Sequence, residues 1–264
     1  MGGVQNRNAS LGLKWDYYYF PVELLKGYFT DIKLGIRRIV YFSCYYKLYS
    51  SAGALRIVNA SEFNEELSKL LGCKISSPEA ELLEARNLFL SYSSNGPMIS
   101  VKRETVAGML SYHSEFEQIC FVAFLGIRSI LQKNKYKKIT WSYLFSRMSG
   151  ERRTVSFDQW HPVIKKYATR HYKRRIQEYL RDNWHLVIPG AIEDVTETGE
   201  RKKIRISGFY VGISISLKEL ILIILKNHRA ANEKRKQRKL RKIEANDEAI
   251  KWLNSRRHGN KEIT

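Results

Sequence analysis

Apolar positions recur at near-helical spacing between Phe20 and Tyr49: Leu24, Leu25, Tyr28, Phe29, Ile32, Ile36, Ile39 and Val40. The pattern predicts one long helix or two broken ones, interrupted near Asp31 or Gly35, with Asp16 available as a cap. After a small-residue loop at 50–60, Ser61 with Asn64 and Glu65 predicts a short helix ending at Leu71-Gly72. Ser77-Pro78-Glu79 is a start signal, combining a capping hydroxyl, a first-turn proline and a carboxylate at the positive helix end. That helix should reach about Tyr92 and break over Ser93–Pro97, and Ser100 is expected to open another to about Leu110. Ser114 then caps an amphipathic helix through Gln132, with Phe116, Ile119, Cys120, Ala123, Phe124, Ile127 and Ile130 on one stripe.

Past Lys138 the elements shorten. Thr140 caps a helix from Trp141 to Met148 that ends at Gly150, a further turn or helix is expected between Asp158 and Tyr167, and Thr169 starts a helix to Asn183. The period then falls from 3.6 to 2. His185-Leu186-Val187-Ile188 reads as a strand, Thr196 to Glu200 as a hairpin tip around Gly199, and Ile204–Ile206 through Val211–Ile215 as the returning strand, bent at Gly208. Ser216 with Glu219 caps a last helix, apolar from Leu217 to Leu225 and charged nearly all round from Lys226 to Lys242. The fold class expected is mainly α: a helical N-terminal half, a basic second half with a small β-hairpin, and a long basic C-terminal helix. The segments divide as a flexible arm at 1–14, a helical domain at 15–112, a second domain at 113–218 and a basic tail at 219–264.

Charge sharpens that division. The 264 residues carry 46 Lys and Arg against 26 Asp and Glu, a net charge of +20, with 44% hydrophobic residues. Residues 1–130 hold 14 basic and 12 acidic side chains, whereas residues 131–218 hold 19 and 8, and residues 226–264 hold 13 and 5. Such an excess repels itself in a compact fold unless a polyanion relieves it, and nucleic acid is the commonest polyanion. The longest aliphatic run, Leu220–Leu225, is too short to cross a bilayer, and the basic tail offers a membrane only Leu240 and Ile243, so no membrane partner is expected. Cys44, Cys73 and Cys120 are scattered, with no CxxC pair or Cys/His cluster; free thiols in a reducing cytoplasm, no metal and no cofactor are expected.

Helix, short helix, intervening segment, basic helix, strand, hairpin, strand: over 115–215 this order resembles a winged helix, a helix-turn-helix backed by a β-hairpin. Together with the helical first half it is similar to the architecture of some plasmid replication initiators. The resemblance implies that the helix at 169–183 enters the major groove and that the hairpin touches the backbone or the minor groove. With Tyr172, Ile176, Tyr179 and Leu180 inward, the outward face is Arg170, His171, Lys173, Arg174, Gln177 and Arg181. Arginine forks onto guanine and glutamine pairs with adenine, while lysine supplies phosphate charge. Arg201, Lys202, Lys203 and Arg205 belong to the wing, whose Glu193, Asp194, Glu197 and Glu200 leave only one edge for phosphate. Lys234, Arg235 and Arg238 head a second basic block. The expected function is duplex DNA binding, by a regulator or replication-initiator-like protein of a mobile element, located in the cytoplasm and on the nucleoid, with a homodimer through the helical half as a further expectation.

Two alternatives stand beside it. Tyr167, Tyr172, Tyr179 and Trp184 could stack RNA bases, and the basic tail could be a nonspecific anchor of an assembly protein. Enzymes are not expected: no P-loop, GxGxxG, HExxH or GxSxG string occurs. His171 and Arg174 form an HxxR pair like that of tyrosine recombinases, without the supporting motifs. Glu193-Asp194 with Lys202 or Lys203 resembles a nuclease set, but adjacent carboxylates on a strand point to opposite faces.

Overall fold

Tyr17–Pro21 forms a strand, β1, which takes in Phe20, where the helical spacing was expected to begin. An unbroken Tyr-Tyr-Tyr-Phe run fits either period, and aromatic residues suit a pleated surface. Its partner is β2, Met98–Lys102, paired antiparallel with Phe20 opposite Ile99. Ser100 therefore sits in a strand and opens no helix. Asp16 caps nothing; its carbonyl accepts the Arg103 N–H at 2.8 Å and so extends the ladder. Alternation buries Tyr18 and Phe20 from one strand and Ile99 and Val101 from the other.

The computed structural model describes residues 16–51, 58–71, 77–92, 96–110, 113–195, 200–204 and 206–259; the arm expected at 1–14 lies outside them. The chain is mainly helical with a few small antiparallel strands. It divides into two units: Met1–Ile188 with Ser207–Ser214, and Pro189–Ile206 with Ile215–Thr264. The first unit thus takes in the segment read as a helical domain and most of the segment read as nucleic-acid-binding.

In the first unit, a single-turn 3-10 helix at Val22–Leu25 precedes α1, Ile32–Ser51, so the chain does break at Asp31, whose carboxylate accepts the Leu34 N–H. Helix α2, Ala60–Leu71, is capped by Asn59, which accepts the Glu62 N–H, and not by Ser61. Helix α3, Pro78–Tyr92, has the ends that its proline and serine signals predicted. Arg37 ties α1 to α3, donating to Glu81 and Glu84 at 2.8 Å while lying over the Tyr41 ring. Arg103–Ala107 forms the one-turn α4.

Helix α5, Glu115–Leu131, is the centre of this unit. The Ser114 hydroxyl accepts the Glu117 N–H and the Glu117 carboxylate accepts the Ser114 N–H, a reciprocal cap. Twelve of its seventeen residues are buried, including Phe121, Val122 and Leu125 outside the expected stripe. A helix apolar all round is one that packs on every side, and α5 meets β2 as well as the elements that follow it. These are β3, Tyr136–Ile139; α6, Trp141–Met148, capped by Thr140; the short α7, Pro162–Lys166; and α8, Arg170–Trp184, capped by Thr169.

The β structure behind α8 departs from the expected hairpin. His185 is a left-handed helix cap, and of the strand read at 185–188 only Val187 makes a bridge, to Gly212. Of the returning strand read from Ile204 to Ile215, Phe209–Gly212 is a strand, and a separate short one precedes it at Arg201–Lys203 with a different partner. The second unit holds β4, Glu193–Val195, and β5, Arg201–Lys203, paired on either side of residues 196–199, the expected tip, which lie outside the described residues. The first unit holds β6, Phe209–Gly212, which pairs antiparallel with β3. Gly208 makes this possible: its φ is +88°, and a Cβ there would lie 2.2 Å from the Ile139 carbonyl oxygen. In the second unit Ser216 accepts the Glu219 N–H and opens α9, Leu217–Gly259, which buries Leu220 and Ile224.

Candidate nucleic-acid interface

Helix α8 divides by side. Ile176 and Leu180 are buried, and Tyr172, Tyr179 and Trp184 pack against the core. At about 100° per residue, Arg170, Arg174, Gln177 and Arg181 share an arc of about 60°, about 100–160° around the helix from Ile176. Arg170, His171, Arg174 and Arg181 are exposed and Gln177 is half-exposed. Phe116 receives Tyr179 edge-on at 5.7 Å, and Trp184 stacks on Phe124 at 4.6 Å, so the helix is held by aromatic contacts to α5.

Two cations are placed differently from expectation. Lys173 is half-buried, its Nζ 6.0 Å from the Trp141 ring centre and 5.8 Å from that of Phe145, so it lies over α6 rather than fully outward. Arg175, absent from the expected set, is exposed and covers Phe116 at 4.7 Å. Both border the apolar stripe, where long aliphatic stems lie over rings and leave the charged end in water. Two acids moderate the outward row: Arg174 donates to Glu178 at 2.8 Å, and Arg181 to Asp182 at 2.9 Å. Such exposed pairs are worth little, so exchanging a carboxylate for a phosphate costs little.

The tyrosines considered as base-stacking platforms are used inside the protein. Tyr167 is buried and donates its hydroxyl to Glu115 at 2.8 Å, which with burial pushes the phenol up to about 12. Tyr172 packs edge-on to it at 4.6 Å.

In the second unit, Arg201, Lys202 and Lys203 are all exposed. Lys202 pairs with Glu200 at 3.1 Å and stands across from Asp194, while Arg201 and Lys203 point to the other face. Asp194 is taken by α9: Arg229 donates to it at 2.7 Å and His228 lies 3.9 Å away. The carboxylates Glu193 and Asp194 stand on opposite faces of β4, and Asp194 is engaged, so they do not converge as a metal-holding pair. Arg205 lies outside the described residues. Lys234, Arg235 and Arg238 are exposed on α9. Among the described residues no group of three His, Cys, Asp or Glu side chains could hold a metal, and no helix is long and apolar enough to cross a membrane.

No protein family model matches this chain, and no curated protein or solved structure does either.

Proposed function

We propose that the chain binds duplex DNA through α8, as a regulator or replication-initiator-like protein of a mobile element, acting in the cytoplasm and on the nucleoid. One observation carries the reading: a capped helix buries Ile176 and Leu180 while Arg170, Arg174, Gln177 and Arg181 stand in a row on its solvent side. That row has the length and chemistry to reach base edges and phosphates in a major groove. The order α5, α6, α8, with β6 returning to β3 and bridging Val187, supports a helix-turn-helix backed by strands. The second unit has exposed basic residues of its own on β5, with Arg201 and Lys203 on the face away from Asp194.

Replacing Arg170, Arg174 and Arg181 together by Ala tests it. Each removed contact should cost about 1–3 kcal/mol, so duplex affinity at fixed salt falls by two or more orders of magnitude. A folded triple variant that binds as tightly as the parent removes α8 from the interface. Competition with structured RNA at equal salt decides between nucleic acids, and the packed tyrosines favour the duplex.

A further inference from the structure

We propose that α9 carries a one-sided phosphate-binding stripe that lies along the backbone of the duplex, in addition to the helix that reads it. The proposal rests on duplex binding as the function. From Glu233 to Trp252 every residue of α9 is exposed. The helix is nevertheless not evenly charged. Lys234, Arg235, Arg238, Lys239, Arg241 and Lys242 fall at i, i+1, i+4, i+5, i+7 and i+8. At 3.6 residues per turn these six share an arc of about 160°. Glu233, Gln237, Leu240 and Glu244, at i, i+4, i+7 and i+11, form a narrow row outside that arc, and Lys236 is the one cation of the block that misses it.

The stripe continues the azimuth of the buried side chains at the start of the helix. Eighteen residues are about five full turns, so Arg238 has the azimuth of Leu220 and Lys242 that of Ile224. Leu220 and Ile224 are the buried residues of the first turns of α9. The side of the helix that is buried in its first turns therefore becomes, five turns on, a side that offers six cations. The chemistry selects the occupant. The stripe has no apolar member, so a lipid surface has nothing to bury beneath it. Over the nine residues Lys234–Lys242 it extends about 12 Å, enough to follow successive phosphates on one strand, whose charges recur about every 3.4 Å of helix axis.

The test is the salt dependence of duplex binding by the full chain, measured for three proteins. The first is the parent. The second carries all six stripe residues changed to Gln, a good helix former. The third keeps the net charge but moves three cations off the arc: Glu233→Lys with Lys234→Glu, Gln237→Arg with Arg238→Gln, and Leu240→Arg with Arg241→Leu. Each phosphate contact contributes about 0.9 to the slope of log K against log salt. At that spacing a stripe of about 12 Å meets about four phosphates, so the Gln variant should lose about 3.6 from the parent slope and the rearranged variant about half of that. A rearranged variant with the parent slope means that only total charge matters and overturns the stripe; so does a Gln variant with the parent slope. An anionic phosphatidylserine vesicle is the second probe, and stripe-dependent vesicle binding without stripe-dependent duplex binding also overturns it. If the α8 variants bind like the parent while the α9 variants lose slope, the stripe stands and the α8 reading falls.

Discussion

Helices α5 and α9 are both long, and they are specified in opposite ways. Over α5, twelve of seventeen residues are buried, a reciprocal cap fixes the first turn, and neighbours pack on every side. Over α9, two residues in the first turns are buried and twenty consecutive residues from Glu233 to Trp252 are exposed. The first helix draws its stability from removing apolar surface from water, on which charge screening does not act. The second has cations at i and i+4 in Lys234–Arg238, Arg235–Lys239 and Arg238–Lys242, which repel in water and attract a polyanion. A helix of the first kind is finished when the chain folds, whereas one of the second kind keeps its charges in solvent.

Core and surface truncations should separate the two most widely. Phe121→Ala, at a fully buried ring of α5, should cost about 3–5 kcal/mol in denaturant unfolding. Leu240→Ala, at an exposed side chain of α9, should stay within about 0.5 kcal/mol. Equal costs would mean that α9 is packed in solution. Gly208→Ala should approach the Phe121 variant, because its positive φ and the Ile139 carbonyl leave no room for a Cβ, and β6 would leave β3.

Thiol labelling gives a second contrast. Burial pushes the Cys120 thiol of α5 up to about 12, as it does Cys44 of α1. At pH 8 both are protonated and enclosed, so a disulfide reagent should reach them only at the rate of unfolding. Cys73 lies outside the described residues, so the measurement uses a Cys73→Ser background; labelling of Cys120 there within seconds would show that the α5 core opens freely.

Smaller still is the cap of α5. Ser114→Ala should cost about 1 kcal/mol near neutral pH. The Ser114 N–H and hydroxyl hold the Glu117 carboxyl below its usual range. A depressed folded pKa gives stability that is present above the unfolded value, about 4.3, and lost as pH falls through the folded one. The gap between parent and Ser114→Ala should therefore narrow in acid; a gap that widens below pH 4 would contradict the reciprocal cap.

The sequence was most legible where a local signal terminated an apolar stripe. Ser77-Pro78, Ser114, Thr140 and Thr169 each placed a helix start, and the stripe of α8 placed its outward row. It failed where the deciding partner lay far along the chain. The aromatic run of β1 suits a helix until Met98–Lys102 pairs with it, and the hydroxyl of Ser100 imitates a cap inside that same ladder. Strand β3 carries two lysines and takes its identity from β6, across α6 and α8. At the candidate site, Lys173 and Arg175 were misplaced for one reason: long stems reach rings on α6 and α5 that periodicity within α8 cannot reveal.

The contrast is sharpest, though smallest in energy, in the response to salt. Each like-charged pair at i, i+4 costs about 0.2–0.5 kcal/mol at low ionic strength, and screening removes part of that within a Debye length of about 10 Å at 0.1 M. Raising salt from about 10 mM to 0.3 M, conditions that bracket that screening length, should slow amide exchange over 233–242. Exchange over 119–131 should not change, because its protection comes from burial. Added duplex at low salt should protect 233–242 more strongly than salt does, since phosphates neutralise the cations directly. High salt should then release the duplex and return the segment to its screened, partly protected level. Protection of 233–242 that is complete at low salt without any polyanion would show that α9 is stabilised by its own chain, and would erase the difference between the two helices.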